Sequence, residues 1–233
     1  MAKAFAGLGA TVVDDVSDLP VAAAALEGMI VFQKDSNELK ICDGTSWRTV
    51  LDTDIPMGLV MINPSSVSGA GTSLSNGVIS LSGATGVIVE GVFSSSFANY
   101  LLVGDLISSL SVVNVNIRLR ASGVDYSNND QVYQYIYSTN AGGPFRSYGT
   151  INGMSAGAVG NLASNYDCKI FGPNKASAKV ILATYGAYGN TSNETGFTAT
   201  YSPSTTQFTG FNFYPNSGSL TGNLRLYGYR NSI

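Results

Sequence analysis

One stretch of ten residues, "VVNVNIRLRA" (112–121), constrains the fold more than any other. Val113, Val115, Ile117 and Leu119 alternate with Asn114, Asn116, Arg118 and Arg120. A period of two is that of a strand with one face in a core and the other in water. Similar apolar or alternating runs recur at 58–62, 76–81, 86–93, 99–106, 131–138, 166–172, 178–186, 195–202, 208–215 and 222–230, separated by clusters of Gly, Ser, Asn, Thr and Pro. No helical period competes with them over 58–233. Many short strands with this punctuation predict an antiparallel β-sandwich or jelly roll. "SGAGTSLSNG" (68–77) reads as a flexible loop, since it has neither GxGxxG spacing nor a following helix to make a phosphate cradle.

The first quarter of the chain is of different composition. Residues 1–57 carry 13 charges, nine acidic and four basic, whereas 58–233 carry only 14, six acidic and eight basic. All 13 tyrosines follow the change, which falls at "DTDIPMG". A boundary at about 55–60 is therefore expected, giving an N-terminal module over 1–57 and a sandwich domain over 58–233. The module reads as a short linker, a helical turn or two in "VAAAALEG" (21–28), and a three-stranded β-meander of "MIVFQ", "ELKIC" and "SWRTV". Its connectors "KDSN" and "DGT" are turn chemistry. A segment of 57 residues buries only about 60% of its unfolded surface, so it is expected to lean on a partner chain.

Composition also excludes chemistry. The sequence has no histidine, which removes Ser-His-Asp and Cys-His nucleophiles and every histidine-containing metal site. No cofactor or metal ligand set is recognisable. Cys42 and Cys168 lie 126 positions apart without a metal-ligand spacing, and two free thiols are expected in preference to a disulfide. The absence of a basic block argues against nucleic acid as a partner. No apolar run reaches the roughly 18 residues of a membrane span, so no membrane insertion is expected. The N-terminus lacks the apolar stretch and cleavage site of a signal peptide, so the chain reads as mature, soluble and folded inside the cell.

Six carboxylates in the second region, Glu90, Asp105, Asp125, Asp130, Asp167 and Glu194, could in principle serve glycoside hydrolysis. None lies in a recognisable signature, and solvated turn or strand-edge roles are preferred. "DYSNND" (125–130) places oxygens at alternate positions but lacks the glycine and distal glutamate of a calcium loop, so it reads as a polar turn. "YQYIY" puts Tyr133, Tyr135 and Tyr137 on one face of a strand, where cross-strand packing is preferred to sugar stacking. Tyr126, Arg146, Tyr148, Tyr188 and Tyr201 are expected in or beside loops and are the candidate ligand contacts. The two sequons at 190–192 and 193–195 read only as a polar loop.

"SDLP…LEGMIVFQKDSNELKICDGTSWRTVLDTDIP" resembles a stretch common in structural proteins of tailed bacteriophages, particularly cyanophages and other marine phages. The matching positions are Leu19, Pro20, Gly28, Val31, Phe32, Asp35, Leu39, Asp43, Gly44 and Trp47; Cys42 stands where an aromatic is common. "GVFSSSFANYLLVGD", "IRLRASGVD" and "LRLYGYR" resemble pieces of the distal domains of such proteins. The resemblance implies a non-enzymatic virion protein assembled in the host cytoplasm, a homotrimeric fibre or appendage. In that reading the N-terminal module, through Phe32, Leu39, Asp43, Gly44 and Trp47, attaches to other virion proteins or oligomerises. The sandwich then contacts a host surface glycan or protein. Alternatives are a capsid decoration or head-fibre protein bound to the capsid lattice and, further off, a glycan-degrading depolymerase. Trp47 is expected to anchor its own hairpin, within or between chains.

Overall fold

A computed structural model describes residues 3–4, 11–49, 58–140 and 142–230. Among them the strands, numbered β1 to β21 along the chain, form three sheets, and the chain divides into two units, Met1–Met57 and Gly58–Ile233. The all-β class and the sandwich architecture read from the sequence are those of the structure.

The first unit is one sheet in the order β1 (Lys3–Ala4), β2 (Thr11–Val13), β3 (Ile30–Gln33), β4 (Glu38–Cys42) and β5 (Trp47–Thr49). The last three are the expected meander. The segment expected to be a linker instead holds β2, which pairs parallel to β3 with Thr11 opposite Val31. Val12, Val13, Val31 and Cys42 are its buried apolar residues, so β2 supplies apolar surface that a bare meander lacks. "VAAAALEG" forms a single 3-10 turn, Ala24–Leu26. It stops at Gly28, whose φ of 83° suits a residue without Cβ, and the Gly28 N–H donates to the Cys42 carbonyl at 2.9 Å.

The second unit packs two unequal antiparallel sheets. The larger runs β15 (Gly142–Ile151), β14 (Gln131–Thr139), β19 (Asn193–Ser202), β18 (Lys179–Tyr188), β17 (Ala163–Phe171), β11 (Phe97–Ser108), β21 (Leu220–Arg230), β9 (Val78–Ala84) and β8 (Thr72–Ser75), with β6 (Leu59–Met61) also on β21. The smaller runs β13 (Val124–Asp125), β12 (Val112–Ala121), β20 (Gly210–Pro215), β10 (Val87–Glu90) and β7 (Ser66–Ser68), with β16 (Met154–Gly160) also on β12. Val113, Val115, Ile117 and Leu119 of β12 are buried between the sheets with Phe211 and Phe213 of β20 and Leu102 and Tyr100 of β11. Each such side chain contributes on the order of 1.5–3 kcal/mol by leaving water.

Five strands of the second unit, β7, β8, β13, β15 and β16, escaped the sequence pattern. The segment expected to be a flexible loop, 68–77, contains all of β8, and Asn76 (φ 49°) with Gly77 (φ 75°) makes the two-residue turn that pairs it with β9. Asn-Gly with both φ values positive is the turn whose twist matches a hairpin. β16, "MSAGAVG", is buried at every position. Its side chains are mostly small, which lets this edge of the smaller sheet lie close against the larger one. The Thr198 and Thr200 hydroxyls of β19 donate to the Ser155 carbonyl of β16 at 3.4 and 3.0 Å, so polar groups cross between the sheets.

Two buried cations tie the second unit together. Arg120 of β12, 8% exposed, pairs with Glu90 of β10 at 2.7 Å, with Asp125 of β13, and donates to the Gly123 carbonyl. Lys179, at the start of β18, is fully buried. Its ammonium donates to the carbonyls of Lys175 (2.6 Å), Ser177 and Ser204 (3.2 Å) and lies 5.5 Å from the centre of the Phe208 ring.

Candidate functional site

The residues singled out in the N-terminal unit are built into its turn. Phe32 and Leu39 are opposite each other on β3 and β4, both half-buried. Asp43 accepts hydrogen bonds from the backbone and hydroxyls of Thr45 and Ser46 and pairs with Arg48 at 2.7 Å. The Arg48 guanidinium, then the Thr45 and Ser46 donors, hold the Asp43 carboxyl well below the usual range. Gly44 takes φ 86° at the apex. Trp47, half-buried and paired with Cys42 across β4–β5, donates its indole N–H to the Pro20 carbonyl at 2.7 Å. It therefore clamps the segment before the 3-10 turn onto the meander.

In the second unit, four of the five expected ligand contacts lie in strands rather than loops. Arg146 and Tyr148 are in β15, Tyr188 ends β18, and Tyr201 is in β19. The reason is register. "YQYIY" sits in β14, whose tyrosines point toward the sandwich interior and are half-buried, while Val132, Gln134, Ile136 and Ser138 point outward and are exposed. Directly paired residues share a face of a sheet, so the pairings place neighbours on that outward side. Val132 is opposite Tyr201 and Thr150, Gln134 opposite Ala199 and Tyr148, and Ile136 opposite Phe197 and Arg146. The result is an outward patch with Tyr148 78%, Ile136 51%, Val132 48%, Tyr201 46% and Phe197 38% exposed. The solvated face of an antiparallel sheet is ordinarily polar, and a contiguous apolar area on it marks an interaction surface.

Tyr126 is placed elsewhere. It follows β13, meets Phe208 edge to face at 5.5 Å and donates to Asp130 at 2.7 Å. In "DYSNND" Asp125 binds Arg120 and Asn212, and Asp130 Oδ2 accepts from Tyr126, while the buried Asp130 Oδ1 has no partner among the described residues. Asp167 accepts from the Thr184 hydroxyl. Among the described residues no three His, Cys, Asp or Glu side chains cluster as a metal site requires.

The inward side of the β14–β15 hairpin forms a cleft that the sequence did not disclose. Tyr135, Tyr137, Ser147, Tyr185, Glu194 and Asn114 line a space of about 170 Å³. The Tyr185 hydroxyl donates to Glu194 Oε1 at 2.6 Å; burial first, and the adjacent carboxylate second, push the phenol's pKa upward. Tyr137 stacks on Phe145 of β15, ring centres 5.4 Å apart. A Cβ on Gly157 would sit 2.7 Å from the Tyr185 ring, and one on Gly196 2.7 Å from its hydroxyl, so two glycines make the socket that aims Tyr185 at Glu194. A second depression of about 260 Å³ continues past Glu194 between Ser138, Thr139, Asn140, Asn193 and Thr195. Sequence reading left Glu194 as a turn acid and Tyr185 as a strand residue. Only the β14–β19–β18 register brings them beside Tyr135 and Tyr137.

No protein-family model and no curated protein matches the chain. Among solved structures it is similar to the C-terminal CBM6 of LamC, a marine laminarinase from Zobellia galactanivorans. The identity is 10% and the TM-score 0.25, over 72% of this chain and 98% of that one. It is also similar to a protein of unknown function with a galectin-like fold from Bacillus subtilis, at 8% identity and a TM-score of 0.24, over 72% and 97%. Superpositions this loose carry no argument about ligand or activity.

Proposed function

We propose that the chain is a non-enzymatic structural protein of a phage virion, a homotrimeric fibre or appendage subunit whose Gly58–Ile233 unit adheres to the host surface. The observation that carries adhesion is the outward patch of Val132, Ile136, Tyr148, Phe197 and Tyr201, an apolar and aromatic area where a solvated sheet face should be polar. The phage context rests on the sequence motifs around Gly28–Trp47. A role without chemistry is supported by the carboxylates, since Glu90, Asp125, Asp130, Asp167 and Glu194 each accept a hydrogen bond from a neighbouring side chain. Weak contacts of this kind gain strength by copy number rather than by depth.

Ile136 and Phe197 already face solvent, so an Ile136→Lys/Phe197→Lys variant should melt as the parent does. Its adsorption to host cells should fall at least about tenfold, the equivalent of ~1.4 kcal/mol per site. Unchanged adsorption would remove the patch from the mechanism. Cryo-electron microscopy of intact particles locates the chain: three copies on a tail appendage are expected, and density on the capsid lattice would replace this reading with the decoration role.

A further inference from the structure

We infer that the inward cleft around Glu194 is a binding site for a neutral oligosaccharide of at least two rings. The inference goes beyond the adhesive patch: the first depression lies on the opposite face of the same sheet, and only Ser138, Asn193 and Thr195 of the second belong to the patch's side, so either reading can fail without the other.

Shape comes first. The first depression, at about 170 Å³, is smaller than the ~300–1,000 Å³ clefts that engulf drug-sized molecules. It accepts one ring and leaves the remainder to the neighbouring depression, which shares Glu194. Two small hollows joined at one residue suit a ligand built of small repeated units. Phe145, on the inward side of β15, is 46% exposed. The smaller sheet therefore ends before this hairpin and leaves the cleft open to a chain that continues outward.

The lining then selects the chemistry. Tyr135 and Tyr137 offer ring surface to the apolar face of a sugar. Asn114, Ser147, Ser138, Asn140, Asn193 and Thr195 bring amides and hydroxyls that both donate and accept, as vicinal hydroxyls require. Among the described residues Glu194 is the one charged group lining either depression. Its Oε1 is committed to Tyr185, while Oε2 has no partner among the described residues and can take ligand hydroxyls in charge-assisted hydrogen bonds. A carboxylate with no lining cation repels phosphate, sialate and uronate. A quaternary ammonium would suit tyrosines beside a carboxylate, but it donates no hydrogen bond and would leave the amide and hydroxyl groove beyond Glu194 unused. The socket of Gly157 and Gly196 holds Tyr185, and through it Glu194, before any ligand arrives, which lowers the ordering cost of binding.

The test uses the full chain on an array of neutral gluco-, galacto-, manno- and N-acetylhexosamine oligosaccharides, alongside sialylated and uronic oligosaccharides and choline. The best ligand is then titrated calorimetrically. A neutral oligosaccharide should bind. Glu194→Gln, which keeps an acceptor for Tyr185, should weaken it at least about tenfold. Ser147→Phe, which fills the cleft from an edge strand, should abolish it, with melting curves showing both variants folded. Val132→Lys/Tyr201→Lys, at the end of the patch away from Ser138 and Thr195, should bind the oligosaccharide as the parent does, which separates this site from the adhesive patch. Binding of choline or of acidic oligosaccharides alone, no binding of any neutral one, or affinity unchanged in both cleft variants would overturn the inference.

Discussion

Arg120 offers the sharpest test of how the second unit holds together. Its guanidinium is buried, and it joins β12 to β10 through Glu90 and to β13 through Asp125. Burial alone would lower its pKa, but hydrogen bonds and attraction from both carboxylates outweigh that and raise it. Arg120→Met keeps much of the volume and removes the charge, leaving Glu90 and Asp125 without the cation they share. Breaking a buried pair in this way costs about 3–5 kcal/mol. The Glu90 and Asp125 side chains retain 24% and 22% exposure, so water relieves part of the penalty and the lower end, about 3 kcal/mol, is expected. For a unit of this size that is a Tm lower by ~6–12 °C, readable by calorimetry or urea denaturation at neutral pH. The cost arises from stranded charge rather than lost contacts. The triple variant Arg120→Met/Glu90→Gln/Asp125→Asn should therefore recover at least half of it. A single variant losing less than about 1 kcal/mol, or a triple variant as unstable as the single, would refute the reasoning.

Two further outcomes are expected. Burial pushes the Cys168 thiol up to about 12 and Cys42 is also enclosed. Disulfide reagents at pH 8 should therefore leave the native chain unmodified and titrate two thiols only after denaturant; rapid labelling of the native protein would contradict the packing. Asp43, held below its ordinary value of 3.8 chiefly by Arg48, contributes stability that is present above that value and lost as pH falls through the lowered one. Fluorescence of Trp47, the sole tryptophan, should show the first unit melting earlier as pH drops below about 4. Asp43→Asn should be weaker at neutral pH with a flatter acid dependence, and an identical acid slope would sink the assignment.

Strand identity was legible where one-sided burial shows as an apolar alternation, and β15 was missed because Gly, Pro, Ser and Thr fill most of its positions. β12 follows its alternation on the apolar side, where Val113, Val115, Ile117 and Leu119 all enter the core, while Asn116 and Arg120 of the side expected in water are buried as well. β16 was not legible, since a strand covered on both sides by close neighbours needs small residues and carries no period. β8 was lost because serine and glycine read as loop, although its Asn76-Gly77 turn was there to be seen. The candidate contacts were chosen by residue type, and the outward face of Arg146, Tyr148, Tyr188 and Tyr201 became visible only with the register. The Glu194 cleft depends on pairings of residues some sixty positions apart, such as Thr139 with Glu194, which no local pattern encodes.

Lys179 has a consequence of its own. Three main-chain carbonyls from two separate loops converge on its ammonium with no carboxylate among the contacts described, an arrangement that loops elsewhere build around a calcium or sodium ion. Here the ion is covalently attached to the chain, so it cannot be diluted away, stripped by a chelator or exchanged for another metal. The two loops should therefore keep their arrangement whether calcium and sodium are abundant or absent.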